Sequence, residues 1–240
     1  MSQQVAPPLI LTGGISAPTE VPFLPEEIAI FDRDLERLAY MASLSADLRN
    51  LLLSDRDAFL VAASVAKSTL GTNLTFAGIS ASSPAQLGMQ LIRAITVRNP
   101  GITSGTPVQN WIQNYSSTGW TNIFGSPANP VSLAQTGLGG SSATNLQNKV
   151  VLAFGALIDP TPSPKIAEYR FHVGPTDYQV HSISWQPLTN LFYAKLEGMF
   201  LITKNQSFYM RGNIQPSTGQ DNTQLFGLTF ATGDYLTYET

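Results

Sequence analysis

The sequence predicts an α+β protein, with an extended N-terminal arm, a helical N-terminal region and a C-terminal antiparallel β sandwich or barrel. Three observations predict it. Residues 1–24 hold Pro7, Pro8, Pro18 and Pro22 with Gly13-Gly14 and no helical period, the grammar of an extended segment. Ile28, Phe31, Leu35, Leu38 and Ala42 then recur at spacings of three and four, one apolar helical stripe. From residue 149 onward, short apolar runs are separated by clusters rich in Pro, Gly and Asp, which favours antiparallel strands. No strand–helix–strand alternation occurs, so a doubly wound nucleotide fold is not expected.

Taken in order, the arm (1–24) is too apolar at Leu9-Ile10-Leu11 and Val21-Pro22-Phe23-Leu24 to be a solvated tail. It is expected to lie on a surface, either its own domain or a neighbouring copy. In the helical region (25–70), Pro25 suits a first helical position, and Glu26 and Glu27 suit the positive end of the helix dipole. Ser45 and Ser54 are expected to cap two further helices.

Region 71–148 is read as charge-poor loops with short helices at 84–97, capped by Ser83, and at 107–115, capped by Thr106. From Asn99 to Asn148 there is no charged residue. The β region (149–240) is expected to hold strands at 149–158, 165–173, 178–185, 191–202, 207–214, 224–230 and 235–238.

One hairpin allows a closer reading. If Val173 pairs with Tyr178, then Tyr169 and Phe171 lie on the buried face, opposite Ser182 and Val180. Ile166, Glu168, Arg170 and His172 then share the outer face with His181. The only two histidines would thus stand diagonally, with Glu168 nearby, so a two-His, one-carboxylate metal site comes into question. Arg170 directly opposite His181 would repel a cation, and the pair is read as surface histidines.

Composition limits function. Only 12% of residues are charged, about half the usual share, and a surface so poor in charge resists association badly. A net charge of −3 offers no footprint for phosphate backbones. Cysteine is absent, which removes disulfides and thiolate sites. The N-terminus shows no basic stretch followed by an apolar core, so no secretory signal is expected, and no apolar run is long enough for a membrane span.

The chain also lacks catalytic grammar. Gly14-Ile15-Ser16 and Gly78-Ile79-Ser80 miss the second glycine of a nucleophile elbow. Gly137-Leu138-Gly139-Gly140 has no following lysine for a phosphate loop. Asp32-Arg33-Asp34 and Asp55-Arg56-Asp57 lack the glycine turn of a cation loop and are read as solvated helix charges. No enzyme activity, cofactor or metal is expected. Asn73, Asn114 and Asn205 begin glycosylation sequons, read as chance matches in the absence of a signal.

What remains is association. Aromatic residues among small polar ones match the make-up of interface cores, and Leu9, Ile10, Phe23, Trp111, Tyr115, Trp120, Ile123 and Phe124 are the expected contact residues. The Pro-rich arm, the uncharged Asn-, Gln-, Thr- and Gly-rich loops, the missing cysteine and the β-rich body together resemble the style of viral and phage particle proteins. That resemblance is one of composition and layout, with no diagnostic motif. It implies a non-enzymatic capsid-type subunit made in the host cytoplasm and located in the virion, with copies of itself and other particle proteins as partners. The alternative is a decoration, spike or adhesin-like module whose exposed aromatics, such as Trp111 and Trp120, contact a receptor or glycan.

Overall fold

The computed structural model describes residues 9–11, 22–41, 46–92, 112–115, 119–124, 131–132, 149–158, 166–173, 176–178, 181–182, 186–188, 191–203, 207–214 and 219–235. It opens with strand β1 (Leu9–Leu11) and helices α1 (Pro25–Met41), α2 (Ala46–Ser54) and α3 (Arg56–Leu70). β2 (Thr75–Phe76), a 3-10 turn at Gly78–Ser80, β3 (Gln86–Ile92), β4 (Ile112–Tyr115), β5 (Gly119–Phe124) and β6 (Val131–Ser132) follow. The C-terminal half adds β7 (Lys149–Ile158), β8 (Ile166–Val173), β9 (Thr176–Asp177), β10 (His181–Ser182) and β11 (Gln186–Leu188). β12 (Leu191–Ile202), β13 (Ser207–Ile214) and β14 (Gly219–Thr232) complete it, with a final 3-10 turn at Gly233–Tyr235.

The α+β class holds. α1 begins at Pro25 as expected, and its stripe is buried at Phe31, Leu35 and Leu38. α2 starts one residue after Ser45, which lies outside the described residues, as does Ala42. α3 is capped in position by Asp55 rather than Ser54, and Asp55 makes no side-chain cap bond. Ser54 instead closes α2, because the two helices follow each other without room for a loop. α3 stops at Gly71, whose N–H donates to the Lys67 carbonyl at 2.9 Å.

The strands form two open sheets, so the barrel alternative is corrected. The larger runs β1-β12-β7-β14-β3-β2, with β11 also on β12 and β4 on β14. The smaller runs β10-β8-β13-β5, with β9 on β8 and β6 on β13. Pairing is antiparallel except that β1 joins β12, and β2 joins β3, in parallel. Region 71–148 therefore supplies strands to both sheets.

Two expected helices are corrected here. Residues 86–92 form a strand, because Leu87 and Met89 point into the core two residues apart, with Gln86 and Gln90 half-buried on either side of them, a spacing of two that outweighs the Ser83-Pro84 cap signal. Residues 112–115, the end of the second expected helix, are strand β4 paired with Gly219–Asn222 of β14. Stretch 119–124, read as loop, is strand β5. β7, β12 and β13 match the expected bounds. Of the expected strand at 178–185, His181–Ser182 is strand β10 and Tyr178 is not in a strand, and of 235–238, Tyr235 ends a 3-10 turn, the remaining positions of both lying outside the described residues.

β7 is the axis of the fold. Lys149 through Gly155 are all buried, as expected of a strand covered on both faces. Val150, Leu152 and Phe154 join the core beneath the helices, where Phe154 meets Phe59 of α3 at 4.7 Å and Phe226 of β14 at 5.0 Å. Val151 and Ala153 alternate to the other side, and Phe200, opposite Ala153 in register, stacks on Phe171 of β8 at 4.4 Å. Helices, large sheet and small sheet are thus three layers around one strand. Each fully buried aromatic contributes about 1.5–3 kcal/mol. Gly227 of β14 permits the close passage of β7, since a Cβ there would collide with the Leu152 carbonyl.

Candidate interaction surface

Three carboxylates of the helical layer, Glu27, Asp34 and Asp55, turn inward and are paired. Glu27 is buried, and its carboxylate accepts N–H bonds from Phe76 at 2.7 Å and Leu24 at 2.9 Å and from Lys67 Nζ at 2.9 Å. Burial alone would raise the Glu27 pKa, but the two backbone donors and Lys67 outweigh it and hold the carboxyl below its ordinary range. Asp34, fully buried, accepts the Ile79 N–H at 3.0 Å and Arg33 Nε at 2.9 Å. Gly78, at φ +62°, makes this possible, because a Cβ there would strike the Asp34 carboxylate. Asp55, buried, pairs with Lys195 of β12 at 2.7 Å.

The two acidic pairs are therefore not merely solvated charges. Asp34 and Asp55 tie helices to a turn and to the sheet, while Asp32 receives Arg56 in a bidentate bond at 2.7 and 2.9 Å. That bond, with Asp57 beside it, pushes the Arg56 guanidinium pKa upward. Burial, with the Asp55 charge nearby, pushes the Tyr193 phenol up. Among the described residues no group of three His, Asp or Glu side chains could hold a metal ion.

The hairpin reading is corrected by its register. Val173 pairs with Thr176, and His172 with Asp177, across a two-residue turn. β10 pairs one residue out of step with β9, setting His181 opposite Tyr169, not Arg170. His181 thus changes parity relative to His172, and the shared face on which the metal possibility depended does not form. A second shift, between Asn213 and Ile214, leaves Ala167 without a partner and carries Ile166 into the core, where the expectation had it outside.

The expected contact residues scatter. Leu9 and Ile10 lie in β1 opposite Met199 and Phe200. Phe23 packs on Phe76 at 5.5 Å and beneath Lys67 Nζ at 5.1 Å, within its own chain. Tyr115 stands opposite Gly219, Trp120 opposite Asn213 and Phe124 opposite Met210, with Ile123 beside it in β5. Trp111 lies outside the described residues. Three pieces of the uncharged stretch are thus hydrogen-bonded into the chain's own sheets, and Trp120 is 39% exposed.

The small sheet also carries a polar face missed in the sequence. Asn122, Arg211 and Arg170 form one row across β5, β13 and β8, and Trp120, Asn213 and Glu168 form the next. Asn213 Nδ2 donates to Glu168 Oε2 at 2.8 Å, and Arg170 Nε to the Tyr178 carbonyl at 3.4 Å. Arg211 Nε is buried and has no hydrogen-bond acceptor among the described residues. No helix among the described residues is long and apolar enough to cross a membrane.

No protein-family model matches the chain, and no curated protein does. Among solved structures, similarity is found to the subviral particle of infectious bursal disease virus VP2, at 10% identity and a TM-score of 0.25, covering 62% of this chain and 34% of that one. T=1 particles of the D431N mutant of the same protein match at 10% identity and a TM-score of 0.19, over 61% of this chain and 38% of that one. The chain matches little more than a third of those proteins' length.

Proposed function

We propose that this chain is a non-enzymatic structural subunit that associates with copies of itself in a virus particle, as a capsid or capsid-associated shell protein. The observation that carries the reading is the arm. Leu9–Leu11, separated from β12 by most of the chain, lies parallel along the Met199–Leu201 edge as an added strand. Strand addition at an edge uses main-chain bonds that any copy's β12 offers equally, so the arm is suited to exchange between subunits. The low charge content supports the reading, because it leaves few ions to desolvate when surfaces meet. Leu9 and Ile10 are the leading contacts; Trp111, Tyr115, Ile123 and Phe124 contribute from the uncharged stretch, while Phe23 anchors the arm's base.

Size-exclusion chromatography with light scattering, followed by negative-stain microscopy, tests this on the full chain and on a chain lacking residues 1–21, which keeps Phe23 and Leu24 in place. Assembly by the full chain, and its loss without the arm, is expected. A full chain that stays monomeric at high concentration overturns the reading.

A further inference from the structure

We propose that the Glu27 carboxylate is an acid-released latch that fixes the base of the N-terminal arm to the edge of the large sheet. The latch belongs to a single chain and holds whether or not copies associate. It begins as a helix cap. The Leu24 carbonyl accepts the Ile28 N–H at 3.1 Å, which makes Leu24 the N-cap of α1 and Glu27 its third helical residue. A glutamate at that place reaches back to the N-cap N–H, and Glu27 Oε2 accepts from Leu24 at 2.9 Å.

The same carboxylate is buried and holds two other elements. Both oxygens accept from Lys67 Nζ of α3, at 2.9 and 3.1 Å, and Oε1 accepts the Phe76 N–H at 2.7 Å. β2 stands at the end of the large sheet's order, and its bonds toward β3 come from the Thr75 and Ala77 N–H groups. The Phe76 N–H between them therefore points off the sheet, where Glu27 ends the edge. Phe23, just before the cap, packs on Phe76 and lies beneath Lys67 Nζ. Lys67 is the charged group that α3 sets against Glu27. Residues 22–24 and 75–76 carry no charge, and Asp34, two turns along α1, is held by Ile79, Arg33 and Arg37.

Protonation of Glu27 turns an acceptor oxygen into a donor and leaves the buried Lys67 ammonium without a counter-charge, a costly state. α3 and β2 are set in the core through Phe59, Val65 and Phe76, whereas Pro22 and Leu24 of the arm's base are exposed. The base is the part that can move, so it opens before the core does. Burial works to raise the Glu27 pKa, but the Phe76 and Leu24 N–H groups and Lys67 hold it below 4.5. Release therefore comes below that value in the native chain, and without Lys67 it should come at higher pH.

Hydrogen exchange followed by mass spectrometry on the full chain, between about pH 7 and about pH 3 with intrinsic rates divided out, tests the latch. On acidification, residues 24–28 and 75–77 should lose protection about tenfold or more while residues 149–155 of β7 stay protected. Glu27→Gln should show that local loss already near pH ~7, and Lys67→Met should move the midpoint up by about one pH unit or more. Should Glu27→Gln fail to fold, the parent chain and Lys67→Met carry the test. Three results overturn the proposal: exchange at 24–28 and 75–77 rising only together with β7, a folded Glu27→Gln as protected as the parent, or an unmoved midpoint in Lys67→Met.

Discussion

The helical layer and the outer face of the small sheet treat charge in opposite ways. Beneath the helices, Glu27, Asp34 and Asp55 are buried, yet each has a named cation or backbone donor within about hydrogen-bond range. On the small sheet, Arg211 faces a like charge and keeps a buried donor unmet. A chain with so few ions spends most of those in the first layer on holding itself together. In the second layer the described residues leave one buried donor, Arg211 Nε, without an acceptor, the kind of group that native folds rarely tolerate.

Breaking the first layer should have the largest effect. Glu27→Ala leaves Lys67 and the Phe76 N–H buried without their acceptor and should cost about 3–5 kcal/mol, read by urea unfolding. The lowered Glu27 pKa means that its stabilisation is present above the ordinary value of 4.5 and is lost as pH falls through the lower folded value. The variant should therefore also lose that part of the acid dependence. An acid limb unchanged in Glu27→Ala would show that another group sets it.

Lys149 sharpens the comparison from within the core. It is 3% exposed at the start of β7, and burial lowers its pKa to about 8. A lysine so depressed penalises the folded state while both states are protonated, and the penalty is relieved as pH rises from about 8 through the ordinary 10.5. Lys149→Met should thus raise stability at pH 7 by about 1–3 kcal/mol, and the gain should vanish in melts above pH ~10.5. A destabilised Lys149→Met would mean that the ammonium has an acceptor in the fold.

Arg211→Met tests the second layer. With a like charge and an unmet donor removed, stability should hold or rise by about 0.5–1 kcal/mol, the reverse in sign of Glu27→Ala. A marked loss would show Arg211 to be paired internally and erase the contrast. Asp57→Asn, at the exposed end of the Arg56 network, should change stability by less than about 0.5 kcal/mol in thermal melts.

Legibility in the sequence followed the range of the interaction. α1, β7, β12 and β13 could be read because each bears its own signal, a helical stripe or a long apolar run between breakers. The strand at Gln86–Ile92 was masked by the Ser83-Pro84 start signal, a local preference overridden by pairing with β14. The hairpin failed on one residue: Val173 pairs with Thr176 rather than Tyr178, and β10 is one residue out of step with β9, which moves His181 to the other parity. Asp34 and Asp55 looked solvated because their partners, Ile79 and Lys195, lie far along the chain. The Arg211 row was invisible for the same reason, since nothing near Arg211 in sequence announces that Arg170 and Asn122 will flank it.

The parallel union of β1 with β12 has a consequence for synthesis. Leu9–Leu11 leave the ribosome long before Met199–Leu201 are made, so a nascent arm has no edge of its own to join. Where many copies are translated side by side, the first completed edges it meets belong to finished neighbours. Crowded translation would then favour arms crossing between molecules, and dilute translation would favour closure on the same molecule. On the proposed reading, the order of emergence would let local concentration choose between a closed protomer and a linked one.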